Sequence, residues 1–159
     1  PDEPRDLGTK PNVELDQFFA ATGIEIRTTD EPQAFYHLLD DYVHMPPIAT
    51  FHSANGYYAS LAHEMVHATS HAGRLDRNQR FCRKADLAFE ELCAEIGSAM
   101  LCVSLELVPD FAQSAAYVES WLRSLKNDKK FIFRAASEAQ KAADYLLQAS
   151  SEQTIQHAA

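Results

Sequence analysis

At 159 residues the chain is sized for a single domain with a true core, and its 46% hydrophobic fraction is ordinary for a globular protein. A formal net charge of −9 argues against a phosphate-binding surface, because nucleic-acid binders usually present a basic face. No apolar run is long enough to span a membrane, and no signal-peptide pattern opens the sequence.

Residues 1–11 are Pro-rich, charged and aperiodic, and read as a linker or an arm lying on the surface. The opening on Pro1 rather than Met reads as an excised domain or a processed product. Residues 12–150 read as the folded domain and residues 151–159 as a flexible tail. A helix is expected from Val13 to Ala21, capped by Asn12 and ended by Gly23. Glu25 to Thr28 alternates and carries β-branched residues, so it reads as a strand. Ala34 to Tyr36 and Asp41 to Met45 read as two more, with a turn near Leu39 to Asp41 and a stop at Pro46 and Pro47. Ile48 to His52 reads as a short extended piece.

A helix is expected next from Gly56 to Ser70, capped by Ser53 or Asn55, with Gly73 available to end it in a left-handed conformation. Leu75 to Phe81 reads as a loop, and Arg74, Arg77, Arg80, Arg83 and Lys84 as a solvated basic run. A long apolar helix covers Lys84 to Leu105 and is broken at Val108-Pro109. Asp110 with Gln113 resembles a capping box for a helix from Phe111 to Leu125. The last helix starts at Asn127 or Asp128 and is periodic to Gln148, leaving a fraying polar end. The expected fold class is α+β: a small N-terminal sheet, a motif helix and a mostly helical C-terminal half. Cys82, Cys93 and Cys102 are odd in number and lack a C-x-x-C pair, which fits reduced thiols in a cytoplasm.

The motif helix contains His63-Glu64-Met65-Val66-His67. Residues four apart on a helix lie about 40° and about 6 Å from one another, so both imidazoles can reach one zinc ion. Glu64 is then placed to act as general base on a water beside that ion. Tyr58, Leu61, Ala62, Met65, Val66 and Thr69 form the core stripe, which leaves the histidine pair facing a cleft. The plain alternative is an amphipathic helix whose outer face happens to carry two histidines.

Such a site needs a third protein ligand. Glu91 and Glu95 share a face of the long apolar helix, where a carboxylate is costly to bury without a partner. Glu91 is assigned as third ligand, and Glu95 as the acceptor for a ligating histidine's other nitrogen, with Glu95 as the alternative direct ligand. Glu90 is read as pointing away. Tyr117 can donate to a developing oxyanion, although core packing is the commoner fate of such a residue. His44, His52 and His71 read as structural or loop residues.

Several separated motifs carry a resemblance: Tyr57-Tyr58-x-x-Leu61-x-His63-Glu64-x-Val66-His67, His71-x-x-Arg74-Leu75-x-Arg77, Phe89-Glu90-Glu91-Leu92-x-Ala94-Glu95-Ile96-Gly97, Tyr117-x-x-x-Trp121-Leu122-x-x-Leu125, and the alanine-rich run to Tyr145-Leu146. Together they resemble the zincin-like metallopeptidase domain, of gluzincin type, at the C-terminus of ArdC-type antirestriction proteins and TraC-type conjugative primases. The resemblance covers about Asp16 to Leu147. It implies a zincin-like fold, with Glu91-x-x-x-Glu95 standing where the family has Glu-x-x-x-Asp. Ala68 and Ser70 stand where Trp and Gly are expected, which leaves the ligands intact. It also implies a protein or peptide substrate, contact with single-stranded DNA only through an N-terminal domain not included here, and the cytoplasm of a bacterium or of a recipient cell. Two rivals follow: a catalytically silent zincin scaffold acting as a protein- or DNA-protection binding module, and a metal-dependent nuclease. The acidic balance and a site of two histidines and one glutamate disfavour the nuclease.

Overall fold

The computed structural model describes residues 5–77, 84–111 and 117–158. The described elements are helix α1 (Val13–Ala21), strands β1 (Glu25–Thr28), β2 (Phe35–His37) and β3 (Tyr42–Met45), then helices α2 (Ala54–Ala68), α3 (Lys84–Ser104), α4 (Val118–Asn127) and α5 (Phe131–Ala158). The sheet order is β1-β3-β2, with β1 parallel and β2 antiparallel to β3. The architecture is α+β.

Local chemistry sets most boundaries. The Asn12 side chain accepts from the Leu15 amide and caps α1, while Gly23 at φ +74° turns the chain into β1. Asp41 at φ +53° makes the tight turn between β2 and β3, pairing Tyr36 with Val43. Ser53 accepts from the Gly56 amide at the start of α2. Ile48–Thr50 is a single turn of 3-10 helix rather than an extended piece, because both the amide and the hydroxyl of Thr50 donate back to the Pro47 carbonyl.

Helices α2 and α3 end within two residues of the expected positions, but other groups make the stops. Helix α2 stops at Ala68, and Gly73 is not left-handed. Its last carbonyls accept from side chains instead: Thr69 Oγ1 and Arg77 Nη2 on Val66, Ser70 Oγ on His67, and Arg74 Nε on Ala68. Helix α3 ends before Val108-Pro109. Glu106 at φ +58° lets its own amide reach the Val103 carbonyl and the Leu107 amide reach Cys102, the hydrogen-bond pattern of a Schellman stop with Glu in place of Gly.

Helix α4 begins at Val118 without a side-chain cap, and the expected Asp110–Gln113 box lies outside the described residues at Gln113. Arg80, Cys82 and Arg83 also lie outside them. Residues 151–158, expected as a loose tail, continue α5, which contacts α1, with the Gln153 side chain near Gly23. At the other end, the Leu7 amide donates to Ala49 and the Asn12 amide to the Tyr58 hydroxyl, so the arm lies along the domain.

The core gathers around α2. Phe19, Val43, Met45, Tyr58, Leu61, Met65, Leu101 and Leu146 are buried on its inner side. Helix α3 crosses α2 and α5 closely at Gly97, where a Cβ would stand 3.0 Å from Val66 Cγ1 and 3.2 Å from the Ala139 carbonyl oxygen. That approach brings the glutamates of α3 beside the histidines of α2.

Candidate metal centre

The stripe that buries α2 in the core turns His63, Glu64 and His67 toward the N-terminal half of α3. The two Nε2 atoms lie 3.1 Å apart. Glu91 closes the triangle, with Oε2 3.5 Å from His63 Nε2 and Oε1 3.3 Å from His67 Nε2. The opposite ring nitrogens also face carboxylates. His63 Nδ1 is 3.5 Å from Glu95 Oε1, and His67 Nδ1 is 3.3 Å from Glu90 Oε1.

This pattern constrains the protons. An ionised carboxylate only accepts, so each Nδ1 donates, and a ring that gives up its other proton turns an Nε2 lone pair toward its neighbour and toward Glu91. Two lone pairs and a carboxylate converging on one point repel unless a cation lies between them. Ligands about 2.0–2.1 Å from a tetrahedral ion lie roughly 3.3–3.4 Å apart, and the separations of 3.1, 3.3 and 3.5 Å bracket that spacing. The donor set of His63, His67 and Glu91 therefore fits a divalent metal.

The electrostatics point the same way. Burial disfavours a charged His67, yet Glu90, Glu91 and Glu64 outweigh it and push its pKa up to about 10. Burial would raise the Glu91 carboxyl, but His63 and His67 hold it down at about 2. The site attracts positive charge, whether proton or metal.

Glu64 is 6% exposed and lies beside the triangle. It lines a cavity of about 380 Å³ with His63, His67, Glu91 and Tyr117, and with Ala34, Phe35, Tyr36 and Leu38 from β2 and its flanks. Tyr117 faces this cavity, its ring stacked on Trp121 at 6.1 Å. Burial and the Glu91 charge both raise its hydroxyl pKa.

His44 is buried between the Gln33 carbonyl and the Thr29 hydroxyl, and His71 Nδ1 lies 3.9 Å from Asp41. Neither joins the triangle.

Two residues of the site run against the sequence expectation. Glu90 does not point away: it is 5% exposed and faces His67. Arg77 is not a solvated charge but forks onto Glu90 with both Nε and Nη2 at 3.0 Å. Arg74 is likewise bonded to Asp41. Helical phase held the missed signal. Glu90, Cys93, Ala94, Gly97 and Leu101 fall at i, i+3, i+4, i+7 and i+11, and the last four are all small or apolar.

Residues 13–138 match the family model described as zincin-like metallopeptidase. The chain is 40% identical over 148 residues to DNA primase TraC of Escherichia coli, covering 90% of this chain and 14% of that protein. It is 40% identical over 153 residues to the protein y4eC of Sinorhizobium fredii, covering 90% of this chain and 48% of that one. Among solved structures, the Mn(II)-bound antirestriction ArdC protein from the R388 plasmid is 65% identical with a TM-score of 0.86, over 92% of this chain and 55% of that one. The metal-free structure of that ArdC protein gives a TM-score of 0.87. The chain thus spans about half of the y4eC and ArdC proteins, and far less of the primase.

Proposed function

The chain belongs to the zincin-like metallopeptidase family, and on that premise we propose that it is a zinc-dependent peptidase domain of an antirestriction or DNA-transfer protein. The observation that carries this reading is the convergence of two Nε2 lone pairs and the Glu91 carboxylate at one point, with Glu64 beside them in an open cavity. His63, His67 and Glu91 hold the metal, and Glu95 accepts from His63 Nδ1. When bound, the metal supplies Lewis acidity and makes water a nucleophile near neutral pH.

The protein's own groups carry the remaining steps. Glu64 takes a proton from the attacking water and hands it to the leaving amine. The Tyr117 hydroxyl donates to the oxyanion that develops on the peptide carbonyl. The wall formed by Phe35, Tyr36 and Leu38 positions a peptide or protein substrate. The buried free thiols of Cys93 and Cys102 support a reducing compartment such as the cytoplasm. No helix among the described residues is long and apolar enough to cross a membrane. Contact with single-stranded DNA is assigned to another domain, in keeping with a net charge of −9 here.

The deciding experiment is Glu64→Gln in the metal-loaded protein, assayed against a peptide library and for antirestriction. Loss of cleavage with metal retained supports the mechanism. Cleavage that persists in the variant refutes it. If antirestriction survives in the uncleaving variant, the domain serves that function as a silent binding scaffold.

A further inference from the structure

The segment His71-x-x-Arg74-Leu75-x-Arg77 has no part in the chemistry above, yet Arg77 is nearly as buried as a core residue, with its side chain 6% exposed and that of Glu90 7%. A buried ion pair is weak evidence for stability, because desolvation offsets most of the attraction and an apolar pair of similar shape serves as well. The placement of this pair suggests a different use. Arg77 forks onto Glu90, with Nε on Oε2 and Nη2 on Oε1. The same guanidinium donates from Nη2 to the Val66 carbonyl at 2.8 Å and from Nη1 to Thr69 Oγ1 at 2.9 Å. Val66 lies beside His67 in the last turn of α2, and Thr69 is the residue that caps it. One rigid planar group thus fixes both the turn that carries His67 and the carboxylate that faces His67 Nδ1 at 3.3 Å.

We propose that Arg77 and Glu90 are a positioning pair for His67: Glu90 accepts from Nδ1 so that Nε2 presents its lone pair to the metal, and Arg77 holds Glu90 in that pose. The inference rests on the metal-holding reading of His63, His67 and Glu91. It also accounts for an asymmetry between the two histidines. Glu95, behind His63, has one oxygen with no hydrogen-bond partner, whereas both oxygens of Glu90 are engaged by Arg77. Without the guanidinium, the Glu90 carboxylate would be free to turn toward the cavity it borders and compete with Glu91 for the ion.

The test uses the full chain, with zinc as the probe. Zinc affinity is read by competition with a chromophoric chelator, and the His67 Nδ1–H signal is followed by NMR of isotope-labelled histidine in the zinc-loaded protein. Gln at position 90 sets an amide NH2 where Oε2 accepts from Arg77 Nε, donor against donor, and so breaks the fork that holds the group toward His67. Glu90→Gln is therefore expected to weaken zinc binding about 10- to 100-fold and to speed solvent exchange of the His67 Nδ1–H, with folding checked by thermal melting. Arg77→Lys keeps the charge but not the fork, and is expected to weaken zinc binding to a lesser degree. It carries the test if Glu90→Gln does not fold. The exposed pair Arg134–Asp128 is the control, and Arg134→Ala should change neither readout. A folded variant with wild-type zinc affinity and an unchanged Nδ1–H signal overturns the proposal alone. A wild-type chain that takes up no zinc overturns the metal-site reading and this inference with it.

Discussion

Gly97 lies against Val66 so closely that a Cβ on it would come within 3.0 Å of Val66 Cγ1. The site depends on this crossing, since it sets how near Glu91 and Glu95 of α3 come to the histidines of α2. Ala is a better helix former than Gly by roughly 1 kcal/mol, but overpacking a crossing bounded by a backbone carbonyl costs about 1–3 kcal/mol. Gly97→Ala should lower stability by about 1 kcal/mol net and weaken metal binding, as measured by urea titration and chelator competition.

Glu64 supplies proton transfer and no metal bond in the proposed mechanism. Glu64→Gln should reduce kcat by about 10²- to 10⁴-fold while metal content, measured by elemental analysis, stays near that of the wild type.

Tyr117 stands in the cavity rather than in the core. Tyr117→Phe keeps the stacking on Trp121 and removes only the hydroxyl. The expected result is a loss of kcat of about 10²-fold with KM and metal affinity nearly unchanged. An unaltered kcat would reduce Tyr117 to a wall residue.

The proton and the metal compete for His67. Because its pKa is pushed up to about 10, metal uptake below that pH must displace a proton. Apparent affinity should therefore rise with pH across the neutral range, by about tenfold per pH unit for one displaced proton. Calorimetry in buffers of different ionisation enthalpy counts the protons released.

Asp41 makes the β2–β3 turn and accepts from Arg74 and from Tyr36 Oη. Burial raises its carboxyl pKa, but these two donors outweigh it and the net shift is downward. A depressed folded pKa means that the contribution is complete above the usual Asp range near pH 4 and is lost as pH falls through the folded value. Asp41→Asn keeps a residue that tolerates φ +53°. It should cost about 1 kcal/mol at neutral pH and flatten the acid limb of a stability profile obtained by denaturant titration.

Much of the site was legible because its signals are local. The His63–His67 spacing, the stripe from Tyr58 to Thr69, and the Asn12 and Ser53 caps each lie within a few turns of chain. What escaped depends on partners distant in sequence. Helix α2 ends where Arg74 and Arg77 reach back to its carbonyls, so no glycine marks the stop. The expectation that Glu90 points away fails because its phase with Cys93, Ala94 and Leu101 places it inside. Residues 151–158 continue α5 without an apolar period of their own, and Ile155 is exposed.

Irregular segments ordinarily absorb insertions and deletions with little effect. The stretch from Thr69 to Arg77 cannot. Its two arginines, three residues apart, brace the end of the metal-site helix against two different elements, Arg74 through Asp41 of the β2–β3 turn and Arg77 through Glu90 of α3. Adding or removing one residue between them would unseat one brace or the other. Length variation in this domain should therefore gather in other connections, and this short irregular link should hold its length as strictly as the helix it follows.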